Sequence, residues 1–199
     1  DTCPEACPSS GVSAEPRVAI IGAGFGGLCV ALQLAARGHR SFEVYEQADD
    51  IGGTWRDNTY PGAACDAPSH IYSYSFARTV QWSRRFAPGP EILAYLRRCV
   101  DDAGVADRIR LSTTVVAASW RDGAWHLDLG DGSTHVADLL VPAVGQLSVP
   151  SVPDWARPER ISASGFRGAV FHTARWRHEI DLRGRRVAVV GTGASAVQV

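Results

Sequence analysis

A chain of 199 residues can bury a sizeable core, and 45% hydrophobic with 21% charged residues is ordinary for a globular protein. A net charge of −1 leaves no electrostatic footprint for nucleic acid or an acidic membrane, so neither is expected as a partner. The five cysteines (Cys3, Cys7, Cys29, Cys65 and Cys99) are too scattered for a disulfide framework and point to a reducing, cytoplasmic setting; nothing completes a metal site with Cys3 and Cys7.

Residues 1–16 carry Pro, Ser and Glu without periodicity and read as a flexible tail. Val18 to Ile21 form a short apolar run suited to a buried parallel strand, and Gly22, Gly24 and Gly27 then spell G-x-G-x-x-G. Leu28, Val30, Ala31, Leu34 and Ala35 recur at helical spacing, and Arg37-Gly38 supplies a cation and a terminating glycine. Phe42 to Tyr45 is a second apolar strand closed by Glu46. Strand, glycine turn, helix, strand and acid together form a dinucleotide-binding unit. Gly22 permits the tight turn, Gly24 lets a pyrophosphate approach the backbone, and Gly27 lets helix and strand pack closely. Glu46 accepts the ribose hydroxyls. The uncharged stretch 18–36 imitates a membrane span by hydropathy, but its glycines and Gln33 belong to this turn and its helix.

Residues 49–76 form a long loop rich in Gly, Trp and Tyr, a length that usually signals function. Pro90 to Gly104 reads as a helix with Ile92, Leu93, Leu96, Cys99 and Val100 on one face. Arg110 to Trp120 is strand-like, and Ala124–Leu129 with Ser133–Val136 flank Gly130-Asp131-Gly132 as a β-hairpin. Trp120 and Trp125 straddle that region and are expected in the core. Asp138 to Val144 is a further buried strand, and 145–183 is a Pro- and Gly-punctuated crossing. The opening pattern then recurs: Arg185 to Gly191 is expected as a strand, with Gly191, Gly193 and Ala196 as G-x-G-x-x-A. A second dinucleotide follows from that repeat. Because a βαβ unit needs its helix and return strand, the chain reads as a fragment of a longer polypeptide.

Two such turns, with an aromatic loop after the first, resemble the two-dinucleotide-binding flavoproteins. The segment from Phe166 to Trp176, with Gly168 and His172, matches F-x-G-x-x-x-H-x-x-x-W, and Arg177 stands where the family usually has Pro or Asp. Gly53-x-Trp55, Tyr60-Pro61-Gly62 and Asp66 form a second signature. On these residues the chain resembles the class B flavin-dependent monooxygenases of the Baeyer–Villiger type. The implied fold is α/β: a FAD-binding Rossmann-like domain with a β-hairpin insertion (17–145), a linker carrying the signature (146–184) and the start of an NADP-binding Rossmann domain (185–199).

The resemblance implies FAD on Gly22, Gly24, Gly26, Gly27 and Glu46. Gly53, Thr54, Trp55, Asp66 and Tyr72 would lie along the flavin, and the backbone of Val115 would meet the adenine. NADP would sit on Gly191, Thr192, Gly193, Ser195 and Ala196. The implied reaction is NADPH-driven insertion of one oxygen atom from O2 into a ketone through a C4a-peroxyflavin. Asp66 would act there by orienting an arginine from elsewhere in the enzyme. Phe166, Gly168, His172 and Trp176 would couple domain rotation to NADP position. The alternatives are an N- or S-oxygenating flavin monooxygenase and a non-catalytic FAD-binding fragment. A turn cap for Asp66, a packing role for His172 and an inert thiol for Cys65 are the plain structural alternatives at those positions.

Overall fold

A computed structural model describes residues 15–199. The expected tail falls outside the described residues for 1–14, as do Cys3 and Cys7. Glu15 is described, and its carboxylate accepts from the backbone N–H groups of Arg40 and Ser41 at 2.9 and 3.1 Å.

Strand β1 (Val18–Ile21) runs into helix α1 (Phe25–Ala36) and returns as β2 (Phe42–Tyr45), as the apolar runs and the glycine turn predict. The four strands of the main sheet are parallel, in the order β3-β2-β1-β7, where β3 is Ile109–Arg110 and β7 is Leu139–Pro142. Strand side chains alternate between faces, so one four-residue run serves two cores. Val18, Ile20, Phe42 and Val44 pack against α1 and α3 (Gly89–Ala103), joined by Leu28, Ala31, Leu96 and Val100. Ala19 and Tyr45 face the other way and meet Leu127, Leu129 and Ala137. The latter belong to an antiparallel sheet of β4 (Val115–Arg121), β5 (Ala124–Leu129) and β6 (Thr134–Ala137). Ile20, Leu28 and Leu96 are fully buried, each contributing about 1.5–3 kcal/mol of transfer free energy.

Helix ends follow their residues. Gly38 (φ +80°) receives the chain after α1, with its N–H donating to Ala35 O at 2.9 Å. Gly104 caps α3 in the left-handed region, and Val105 N–H reaches back to Val100 O at 3.3 Å. Among the described residues no helix is long and apolar enough to cross a membrane.

Four expectations need correction. The segment 110–120 is two strands rather than one: β3 closes the edge of the parallel sheet, Ser112 turns at φ +51°, and β4 begins in the other sheet. Ser112 N–H donates to Ala48 O and Thr113 N–H to Glu46 O, so the pairing partner changes within this turn. Trp120 is 56% exposed and packs edge-on against Trp125 rather than in the core, because β4 shows its outer side to solvent. The strand expected at 138–144 shortens to β7, an edge strand with Leu139 exposed. The expected strand 185–191 is extended but unpaired, with Val187, Val189 and Val190 exposed, since no segment among the described residues offers it a ladder. The crossing before it holds one short α-helix, α4 (Pro158–Ala163), and two single 3-10 turns, Asp154–Ala156 and Thr173–Arg175.

Leu96→Ala is expected to lower stability by about 2–5 kcal/mol, read from the denaturant midpoint, because a fully buried side chain leaves a cavity between α3 and the sheet. A second prediction concerns acid. The Asp138 carboxylate binds the Arg17 guanidinium and backbone N–H at 2.7 Å each, joining the starts of β7 and β1. The hydrogen bond from the Arg17 side chain holds its pKa down at about 2 against an ordinary 3.8. The stabilisation is therefore complete above the ordinary value and is lost as pH falls through the folded one. Asp138→Asn should abolish that part of the acid dependence while changing little else, checked by comparing denaturant midpoints near pH 5 and near pH 2.

Candidate functional site

The first glycine turn is where β1 becomes α1, and two of its glycines are demanded by packing. Gly22 has φ +104°, and a Cβ there would stand 2.5 Å from Ala143 O. A Cβ on Gly27 would stand 1.9 Å from Gly22 O. The other two are different. A Cβ on Gly24 would meet only Gly53 Cα, at 3.7 Å, and one on Gly26 would meet nothing within 4 Å. Gly24 has φ −81° and ψ −172°, open to any residue. The fold leaves room at Gly24 and Gly26. The first-turn amides of α1 beside them have no partners within the helix.

Glu46 closes β2 beside this turn and is 5% exposed. Its Oε2 accepts from Ala23 N–H at 2.8 Å, and Oε1 accepts from Ala48 N–H at 3.1 Å. Arg56 lies 3.1 Å from the same Oε1 and also binds Asp57 and, at 2.6 Å, Asp50 O. Burial works against the Arg56 charge, but the Asp57 and Glu46 carboxylates outweigh it and raise its pKa.

The long loop is held against the turn. Gly52 N–H donates to Ala23 O at 2.9 Å, and Gly53 (φ +52°) opens helix α2 (Thr54–Asp57), which carries Thr54 and Trp55. Trp55 Nε1–H donates to the Tyr72 hydroxyl at 3.2 Å, with the two rings edge-to-face. Tyr72 also touches Phe25, whose carbonyl accepts from the Tyr74 hydroxyl at 2.7 Å. Burial raises the Tyr72 phenol above its ordinary value, so this hydroxyl stays protonated. Burial likewise raises the Cys65 thiol, which fits an inert cysteine. Asp66 is exposed, and its carboxylate has no hydrogen-bond partner among the described residues, so it does not cap the turn before Pro68. Val115 begins β4, just after the residues that bind the backbone of Glu46 and Ala48.

The signature between the two turns forms local contacts. The Phe166 ring covers Gly168, where a Cβ would stand 2.4 Å from it. His172 Nδ1 accepts from Ala174 N–H at 3.1 Å, and Trp176 meets Phe171 edge-to-face. An open cleft of ≈ 350 Å³ runs along 178–183 beside Pro61 and Trp176, away from the first turn. At the second turn, Gly191 has φ +132°, and Gly193 precedes helix α5 (Ala194–Gln198). A Cβ on Gly193 would meet nothing within 4 Å. Thr192 lies between these glycines, and Ser195 and Ala196 lie on α5.

The structure thus gathers Gly22–Gly27, Glu46, Gly53–Trp55 and Tyr72 round one turn and places 166–176 elsewhere. Sequence reasoning passed over Arg56, for which the loop carried the signal of a cation after two glycines and a tryptophan. It also passed over the contact between Tyr60 and α5, which only the tertiary structure discloses.

Residues 20–98 match the family described as NAD(P)-binding Rossmann-like domain. The chain is 46% identical over 185 residues to a Baeyer–Villiger monooxygenase of Streptomyces coelicolor, covering 92% of this chain and 34% of the relative. It superposes on ε-caprolactone-bound cyclohexanone monooxygenase with a TM-score of 0.81 and 34% identity, over 92% of this chain and 36% of that one. The complex of OTEMO with FAD and NADP gives a TM-score of 0.80 at 32% identity, over 92% and 36%. The chain spans about a third of the length of the curated relatives it matches. Across the nine-tenths of its residues so covered, the chain is, by sequence and by fold, a relative of the class B flavin-dependent monooxygenases of the Baeyer–Villiger type.

Proposed function

We propose that this chain supplies the FAD site and the opening of the NADP site of a monooxygenase that inserts one oxygen atom of O2 into a ketone. The balance is ketone, O2, NADPH and a proton giving ester or lactone, water and NADP. The observation that carries the nucleotide sites is the division among the glycines: Gly22 and Gly27 are needed by the fold, whereas Gly26 and Gly193 stand against open space and a Cβ on Gly24 would meet Gly53 Cα only in ordinary contact at 3.7 Å. A side chain missing where no protein atom requires its absence leaves room for a ligand backbone.

In this reading 17–145 holds FAD, 146–184 links the domains and 185–199 begins the NADP domain. The residues present fit FAD. The α1 amides, Gly24 and Gly26 take the pyrophosphate, and Glu46 takes the adenosine ribose, with the Val115 backbone beyond it toward the adenine. A carboxylate offers about four acceptor sites, and Glu46 already uses three. A ribose diol needs two, so one existing contact yields. Arg56 is the one that can, because Asp57 and Asp50 O continue to hold it. Trp55 and Tyr72, fixed to one another, and Gly53 and Thr54 flank the flavin. FAD, once reduced by NADPH, supplies the activation of O2. The chain's own residues bind it, orient it and exclude water. Asp66, exposed and without a partner among the described residues, holds a cation brought by another part of the enzyme, which stabilises negative charge at the ketone oxygen. Gly191, Thr192, Gly193, Ser195 and Ala196 take NADP, and Phe166, Gly168, His172 and Trp176 shape the linker that presents it.

Two substitutions test this. Gly24→Val should leave the far-ultraviolet circular dichroism unchanged and lower FAD retention after desalting by about tenfold or more, the equivalent of one charge-assisted contact. Full flavin retention would remove FAD from this turn. Asp66→Ala in the full-length protein should keep FAD bound and reduce ester formation about a hundredfold or more. An unchanged ester yield would remove Asp66 from the chemistry.

A further inference from the structure

The loop that follows the first glycine turn is bonded to the helix that follows the second. Tyr60 is 7% exposed, and its hydroxyl lies 2.8 Å from Gln198 Oε1 and 3.1 Å from Ser195 Oγ. A phenol has one proton and can also accept. The shorter contact takes the proton, and the Ser195 hydroxyl donates back to the phenol oxygen. The Gln198 amide is fixed at its other end, with Nε2 donating to Ala64 O at 2.9 Å. Gly62 completes the seat: it has φ +85°, and a Cβ there would stand 2.0 Å from Gln198 O. No other residue lets α5 settle so close. Thr59 Oγ1 adds a 2.9 Å contact to His178 Nε2 on the linker.

These bonds join two parts of the chain that the sequence separates by more than 130 positions. On the loop side, Tyr60, Gly62 and Ala64 lie between Trp55 and Asp66. On the other side, Ser195 and Gln198 lie on the helix that opens at Gly193. Tyr60 is buried and Gln198 half-buried, so leaving either group unpaired carries a desolvation cost, and the pair favours one relative placement of the two segments.

We propose that Tyr60, seated by Gly62, is a positioning residue that sets where the second nucleotide turn stands relative to the loop carrying Trp55 and Asp66. It rests on the reading of Gly191–Ala196 as an NADP site. Hydride transfer requires the two reacting atoms within about 3–3.5 Å, so a displacement of about 1 Å between these segments is costly. Tyr60 touches neither nucleotide in this assignment and acts through Ser195 and Gln198.

The test uses the full-length, FAD-loaded protein and NADP as the probe. Tyr60→Phe removes one oxygen atom and keeps the ring. It should retain FAD and a cooperative thermal transition only slightly below the parent's, weaken NADP binding by calorimetry about five- to tenfold, and abolish the NADP-induced slowing of amide exchange at 62–66. Gln198→Ala should give the same change, and the double variant no more than either alone. Parent-like NADP affinity and exchange protection in Tyr60→Phe overturn the proposal while leaving the NADP site standing. A parent protein that binds FAD but not NADP overturns the proposal together with the reading beneath it.

Discussion

Three backbone segments converge at one point, and the rest of the structure is arranged round that approach. Where β1 turns into α1, Gly22 passes beneath the end of β7 and Gly27 lies directly over Gly22. No Cβ fits at either contact, with oxygen atoms standing 2.5 and 1.9 Å from where one would be. The close approach aims the axis of α1 across the sheet, so that Leu28, Ala31 and Leu32 reach the face made by Val18, Ile20 and Val44. It also leaves the unpaired amides at the start of α1 facing outward beside Gly24 and Gly26. Geometry required for packing thereby leaves unpaired N–H groups at an open helix end, where negative charge is favoured.

Glu46 ties that end to its surroundings. A carboxylate buried to this extent is costly unless it is bonded, and here it is bonded to the turn, to its own strand end and to Arg56. The Ala23 contact means that the acid and the glycine turn cannot move independently. Arg56 extends the connection to α2, so Trp55 inherits its position from the same carboxylate. A substitution at Glu46 would therefore be felt at the aromatic loop as well as at the turn.

Much of this was legible in the residues, and the exceptions share a cause. β1 and β2 were legible to the residue because an apolar run bounded by a glycine turn has one economical arrangement in a parallel sheet. The α3 helix was legible from Pro90, its apolar face and Gly104. What failed depended on partners. The residues 110–120 have strand propensity throughout, but which sheet each half joins is decided by Glu46 and Ala48, far away in sequence. The run 185–191 has the same propensity with no ladder among the described residues, so its valines stay exposed. Trp120 looked like core because tryptophan is large and apolar, yet only the placement of the hairpin decides which face is covered. Within the candidate site, single-position logic singled out the glycines of the first turn, Glu46, Trp55 and Tyr72, which the fold brings together. It passed over Arg56, whose place after the glycines and Trp55 was a local signal but whose bond to Glu46 was not, and it could not find Tyr60 on Gln198, because both pairings are made across the fold.

The aromatic loop is tied down by the protein's own contacts. Gly52 is bonded to the turn, Cys65 N–H donates to Ala87 O at 2.8 Å, and Gly89 N–H donates to Ala63 O at 2.9 Å. Between these ties, Trp55, Tyr72, Phe25 and Tyr74 pack ring against ring. Ordering a residue costs about 1–2 kcal/mol of backbone entropy, and a loop of this length would otherwise charge that cost to ligand binding. Here folding has met it already, through contacts that also bury the rings. A flat cofactor entering such a site would meet a preformed wall, so its binding would be spared the cost of ordering the loop. The same rigidity carries a consequence for Asp66. Cys65 on one side is buried and anchored, and Pro68 on the other is stiff, so the backbone at Asp66 is held at the surface, while its exposed carboxylate, without a hydrogen-bond partner among the described residues, is free to turn toward whatever packs over it.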